Sequence, residues 1–271
     1  MACGETRRES LGWRLLESFF ADPDTCCACG ERPLFRIGLC RDCYERLSFY
    51  RVVRTLPTQR TPPFRVYTVA FYNNFLRTLF ARYKFEEQSF FEPTFAAMIG
   101  ETAVHFTDLN KYSWASYIPM RKRKEVRRGA NPAEALCRGF CQSSGKLFVP
   151  LLVKKGSVRE QNKIGRVERA RNVRGAFSLL HPERKFVPGA RWDAKAGRFQ
   201  EVRVPMALLQ QSPGVLVDDF VTSGNTLCEA ERILRKAGIL VDGLVLATAS
   251  RQPGDSPVRG GIPPGDGTTG E

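Results

Sequence analysis

The chain has 271 residues and 42% hydrophobic composition, enough for one medium domain with an appendage or for two small domains. Its formal charge of +14 and pI of about 9.6 favour polyanionic partners, nucleic acid or phosphorylated metabolites. No apolar run of about 18 residues occurs, and the opening Met1-Ala-Cys-Gly-Glu-Thr-Arg-Arg leads into no stretch of signal-peptide type, so a cytoplasmic protein with no membrane span is expected.

Residues 1–25 read as a leader segment. Residues 26–50 carry two C-x-x-C pairs, Cys26/Cys29 and Cys40/Cys43, separated by ten residues. In a cytoplasmic chain such pairs mean metal binding before oxidation. Four thiolates at this spacing reach one tetrahedral centre, for which zinc is the expected ion. Gly30 and Gly38 supply turns, and Leu39 and Leu47 a small apolar backing. Cys27 leaves the first ligand open between itself and Cys26, with the two-residue spacing favouring Cys26. A closed four-cysteine site is structural, so a zinc ribbon without catalysis is expected. The other cysteines, Cys3, Cys137, Cys141 and Cys228, are scattered.

The domain proper spans residues 51–250. Residues 65–72 read as a strand, 75–83 as a helix with Leu76, Leu79, Phe80 and Tyr83 on one side, and 92–106 as a second helix. Residues 116–120 read as a short strand running into a basic loop at 121–131. Six basic residues crowd that loop, Arg121, Lys122, Arg123, Lys124, Arg127 and Arg128, with Glu125 the one acid among them. Such a loop suits pyrophosphate, through charge-assisted hydrogen bonds, or a nucleic-acid backbone; a solvated basic surface is the plain alternative. Asn131-Pro132 has the form of an N-cap and first helical residue.

Residues 161–177, Gln-Asn-Lys-Ile-Gly-Arg-Val-Glu-Arg-Ala-Arg-Asn-Val-Arg-Gly-Ala-Phe, are arginine-rich. Residues 181–211 read as an inserted hairpin or loop, with a turn around Gly197. His105 and His181 have no partners in the sequence that would make a metal set or a catalytic pair. Residues 243–248 form a last strand. The segment 251–271, with ten Gly or Pro in twenty-one residues, is expected to be disordered.

The most informative segment is Gly214-Val-Leu-Val-Asp-Asp-Phe-Val-Thr-Ser-Gly-Asn-Thr-Leu227. An apolar strand at 215–217 leads into two carboxylates, Asp218 and Asp219. A loop of small residues follows, Thr222, Ser223, Gly224, Asn225 and Thr226, and then a helix over 227–237. Free N–H groups and the helix dipole favour an anion at such a turn. Like charge keeps the acid pair away from a phosphate, but carboxylates accept hydrogen bonds from sugar hydroxyls. Phosphate beside a diol is a ribose phosphate.

This segment resembles the phosphoribosyl-pyrophosphate motif of type I phosphoribosyltransferases. The resemblance implies that Asp218 and Asp219 hold the ribose hydroxyls and that Thr222 to Thr226 wrap the 5′-phosphate. The whole chain is similar to the ComF family of competence-associated, phosphoribosyltransferase-like proteins. Those proteins carry an N-terminal zinc ribbon, a proline-ended strand, R-G-F-N-Q before a helix, and Q-x-x-L-x-x-x-x-R-x-x-N-x-x-x-A-F. Here stand Tyr117-Ile-Pro-Met120, Arg128-Gly-Ala-Asn-Pro132, and Gln161 through Arg169, Asn172 and Phe177. Ala130 and Pro132 replace the family's Phe and Gln.

The resemblance implies an α/β fold, a type I phosphoribosyltransferase-like parallel sheet flanked by helices and preceded by the zinc ribbon. It places Met120 and Arg121 near pyrophosphate, which brings magnesium with it. It makes Arg166 and Arg169 candidates in a mobile lid that neutralises a leaving pyrophosphate. Three functions follow: a phosphoribosyltransferase, a DNA-handling accessory in DNA uptake that contacts single-stranded DNA and DNA-processing proteins, or a zinc-ribbon adaptor for another protein. A glutamine amidotransferase is not expected, since that class needs a free N-terminal cysteine and Ala2 precedes Cys3.

Overall fold

The computed structural model describes residues 24–58, 61–85, 91–103, 105–155 and 173–248. The leader up to residue 23, the tail 251–271, and the lid candidates Arg166 and Arg169 lie outside the described residues.

The sheet takes shape from both ends of the chain. Strands β1 (Phe49–Leu56) and β2 (Phe64–Phe71) are antiparallel neighbours. Strands β3 (Trp114–Tyr117) and β4 (Leu147–Phe148) come next in sequence, while β5 (Leu152–Lys154) and β6 (Phe177–Leu179) pair in a separate ribbon. Strands β7 (Phe186–Asp193) and β8 (Arg198–Pro205) form a hairpin, followed by β9 (Gly214–Val221) and β10 (Val241–Thr248). Eight of these strands join in the order β1-β2-β10-β9-β3-β4-β7-β8. The run from β2 to β4 is parallel; β1 at one edge and the hairpin at the other are antiparallel. The architecture is therefore α/β with a mostly parallel central sheet.

A central parallel sheet is buried on both faces, so its strands are largely apolar. Val215 and Val217 of β9 pack into one core and Leu216 and Val221 into the other; Leu244 and Leu246 of β10 oppose Val241 and Val245 likewise. The first core also takes residues from α1 (Arg41–Glu45), α2 (Asn74–Phe85), α3 (Glu92–Ala103) and the cysteine-rich segment. The opposite face is covered by α6 (Met206–Gln211) and α7 (Asn225–Lys236), through Leu209, Leu227, Ala230 and Leu234. No helix among the described residues is long and apolar enough to cross a membrane.

Two expectations need correction. The basic stretch is not a loop: Lys122–Arg128 is helix α4. Arg and Lys are good helix formers, and the turn is closed by Gly129 at φ 78°, whose N–H donates to the Glu125 carbonyl at 2.8 Å. The strand expected at 116–120 begins earlier, at Trp114, and ends at Tyr117; Pro119, with no N–H to donate, cannot extend the ladder. The Asn131-Pro132 pair does start α5 (Pro132–Ser144), with the Asn131 side chain accepting from the Ala133 N–H at 3.1 Å.

Candidate functional site

The four paired cysteines converge. The Sγ atoms of Cys26, Cys29, Cys40 and Cys43 all lie within 4.8 Å of one another, and Cys29 and Cys40 are 3.9 Å apart. A zinc ion with Zn–S bonds of about 2.3 Å holds its thiolates about 3.8 Å apart, so the residues present fit a tetrahedral metal. Local turns make this possible. The Gly30 N–H donates to the Cys26 carbonyl at 2.7 Å, and the Leu39 N–H to the Arg36 carbonyl at 2.9 Å.

Burial opposes ionisation of Cys26, but backbone N–H groups of Cys40, Cys29 and Ala28 outweigh it and bring the thiol down to about 7. Burial and the neighbouring thiols push Cys43 up instead. A cation among them would favour the thiolate form of all four. The structure also separates Cys26 from Cys27: the Cys27 Sγ turns away to the Thr94 hydroxyl of α3, at 3.3 Å.

At the other candidate site, β9 runs further than the sequence reading had it. Both Asp218 and Asp219 lie within the strand, near its carboxyl end. Asp218 is buried and its Oδ1 accepts the Asp219 N–H at 2.9 Å; Asp219 is half-buried. The turn is only Thr222, Ser223 and Gly224, because Asn225 and Thr226 already belong to α7. Gly224 is the N-cap of α7, at φ 76°, and offers no side-chain acceptor to the first turn. A Cβ there would come within 2.6 Å of the Leu56 side chain. Thr222 and Ser223 are exposed, Asn225 and Thr226 half-buried.

The strand ends bring other candidates to the same side of the sheet. The Ile118 N–H donates to the Val217 carbonyl at 2.9 Å, so the turn after β3 lies against β9 immediately before the acid pair. Asn131 fixes that turn, donating from its side chain to the Ile118 carbonyl at 3.2 Å. Met120 and Arg121 follow, both half-buried, with Arg121 at the N-cap of α4. Lys122, Arg123, Lys124 and Arg127 are exposed on that helix.

One residue at this end went unnoticed in the sequence. Lys154, the last residue of β5, has its ammonium 5.2 Å from the centre of the Phe177 ring. Burial pushes its pKa below the ordinary lysine value; Asp218 and Asp219 pull it back up, while Arg121 and Lys124 add to the depression. Lys154 thus stands within electrostatic reach of the acid pair and the start of the basic helix. The available signal was the apolar run 147–153 ending in a pair of lysines, a second buried segment delivering charge at its end. A second missed contact ties Glu229 of α7 to the Gly175 N–H at 2.6 Å and to Arg232.

No family model matches the chain. Over 169 residues it is 27% identical to Competence protein ComFC of Streptococcus pneumoniae (strain ATCC BAA-255 / R6), a stretch covering 62% of this chain and 60% of that protein.

Proposed function

We propose that this chain is a ComF-family, competence-related protein that binds phosphoribosyl pyrophosphate or a related ribose 5-phosphate. The observation that carries this reading is the carboxyl end of β9. There an acid pair is followed by a three-residue turn and by a helix whose N-cap is a glycine. Asp218 and Asp219 would accept the sugar hydroxyls. The N–H groups of Ser223 to Thr226 would hold the 5′-phosphate, with the dipole of a twelve-residue helix behind them. Magnesium would arrive on the ligand's pyrophosphate, since it keeps few protein ligands. Were the ligand to react, displacement of pyrophosphate would need no nucleophilic side chain, only positioning and charge stabilisation. The cysteine cluster would hold one structural zinc.

The test is calorimetry with ribose 5-phosphate and inorganic phosphate, with magnesium, on wild type and Asp218→Asn/Asp219→Asn. Removing two negative charges raises attraction for any anion, so absolute affinity is a poor readout. Selectivity for the sugar phosphate over phosphate should fall in the variant; a wild type without selectivity refutes the reading. A second reading, a nucleic-acid accessory, draws support from the exposed Lys122, Arg123, Lys124 and Arg127 of α4. It would be favoured by single-stranded DNA binding that weakens steeply with salt, in a protein that selects no sugar phosphate.

A further inference from the structure

The two edges of the central sheet are unlike each other. At one edge, β1 shifts register against β2 between Phe49 and Val52, and its charged residues, Arg51 and Arg54, are both cations. An irregular edge of one charge sign resists pairing with another strand. At the other edge, β8 pairs with β7 in unbroken register over all eight residues, from Arg198 to Pro205. Among the described residues no strand pairs with its outer side. Two contacts fix the direction of its backbone groups. The Met206 N–H donates to the Lys185 carbonyl at 2.9 Å, one step beyond the hairpin pairing of Phe186 with Pro205, and Ala190 of β7 is the residue that pairs with Phe148 of β4. Backbone groups alternate in direction along an antiparallel strand. Arg198, Gln200, Val202 and Val204 therefore bond inward to β7. Phe199, Glu201 and Arg203 present N–H and C=O outward, and Pro205 presents its carbonyl alone. Side chains alternate as well: Phe199, Glu201 and Arg203 share one face, while Val202 and Val204 meet the second core on the other.

We propose that β8 pairs antiparallel with β8 of a second copy of this chain, about a two-fold axis at Val202, and so joins two sheets into one. The order of residues along the strand selects this register. An axis between two residues would set outward backbone groups against inward ones, which cannot form a ladder. An axis on Glu201 sets Glu201 against Glu201, and one on Arg203 sets Arg203 against Arg203; like charges directly opposite are destabilising. An axis on Val202 places Glu201 opposite the second copy's Arg203 and, by symmetry, Arg203 opposite its Glu201. Both residues are exposed, and both present outward N–H and C=O groups, so each such pair exchanges hydrogen bonds in both directions. Phe199 then faces Pro205 and donates its N–H to that carbonyl. Half-buried Val202 meets its counterpart at the axis and carries the apolar face of the second core across it. The formal charge of +14 on each copy opposes association. That repulsion is screened beyond about 8 Å at about 0.15 M salt, whereas the facing pairs are in contact.

The experiment is sedimentation velocity on the purified full chain in about 0.15 M salt, over protein concentrations from about 1 to 100 μM. Wild type should show a dimer whose share grows with concentration. Glu201→Arg and Arg203→Glu should each weaken it about tenfold or more, because each sets like charges across the axis in place of opposite ones. The two reversals move net charge in opposite directions, so weakening by both is not an effect of overall charge. The double reversal Glu201→Arg/Arg203→Glu sets opposite charges face to face again and should return the dissociation constant to within about threefold of wild type. Both positions are exposed, so all three variants should keep the wild-type circular dichroism spectrum. A wild type that stays monomeric across the range overturns the second copy as occupant and leaves the edge to a strand of another protein. A dimer indifferent to either single reversal overturns β8 as the interface. A dimer weakened by both but not restored by the double reversal overturns the register, and the proposal with it.

Discussion

Gly224→Ala perturbs the turn at the point where backbone and packing both demand glycine. The residue sits at φ 76°, where an L-side chain costs roughly 1–2 kcal/mol. The new Cβ would also lie 2.6 and 2.9 Å from the two Cδ atoms of Leu56. Overpacking of this kind costs about 1–3 kcal/mol, and the low end applies here, because Leu56 is only half-buried and its end can swing. The sum is about 2–3 kcal/mol of lost stability, measurable as a shift of the urea midpoint at constant slope. The two contributions separate in a double-mutant cycle with Leu56→Ala. Removing the leucine end should recover about 1 kcal/mol of the loss, the steric part, and leave the conformational part in place. Strict additivity of the two substitutions would refute the packing argument, and a Gly224→Ala protein as stable as wild type would refute the backbone argument as well. The same substitution should weaken phosphate binding, since it turns the first N–H groups of α7.

Purified protein should carry about one zinc per chain, and Cys40→Ser should lose it while Cys27→Ser keeps it; elemental analysis of the two variants checks both statements. Glu229→Gln should destabilise the fold by about 1–2 kcal/mol at neutral pH, the scale of hydrogen bonds to a charged group. Arg232 lowers the Glu229 carboxyl below its ordinary value, with burial opposing and the Gly175 N–H assisting. A lowered carboxyl stabilises the fold above its unfolded pKa and loses that contribution as pH falls through the folded value. The gap between wild type and Glu229→Gln, followed by denaturation, should therefore be full at pH 6–7 and shrink below about pH 4; a gap that widens on acidification would contradict the assignment.

Much of this arrangement was legible in the sequence because the residues concerned act locally. The C-x-x-C spacing is a property of two turns, and Asn131-Pro132 caps the helix that follows it. The strand-turn-helix at 214–227 was readable because an apolar run, an acid pair and small residues each have one period or one turn preference. Boundaries suffered where a partner decides them. Strand β9 continues to Val221 because β10 pairs with it as far as Thr248, which the apolar run alone does not reveal. Residues 121–128 were read as a loop because seven charged residues in eight mask helix propensity when no apolar face is present. Lys154 escaped notice because its significance depends on Asp218, sixty-four positions away in sequence and within electrostatic reach only in the folded chain.

The cysteine cluster and the strand ends are not independent pieces of the molecule. Cys26, Cys40 and Cys43 belong to the same apolar core as Phe80 and Phe95. Arg82 of α2 donates to the Ala28 carbonyl at 3.0 Å, Arg36 pairs with Glu101 of α3 at 2.8 Å, and Cys27 meets Thr94 of α3. Helix α3 then lies so close to α5 that a Cβ on Gly139 would fall 2.6 Å from that of Ala96. Helix α5 is capped by Asn131, which holds the turn after β3 beside the acid pair. Contiguity of this kind does not make a signalling path, which would need an element with two states. Its consequence is thermodynamic. A metal that binds the folded cluster far better than the unfolded chain stabilises everything that unfolds with it. Here that includes the face of α3 on which α5 rests, and so the frame that holds the turn after β3 beside Asp218.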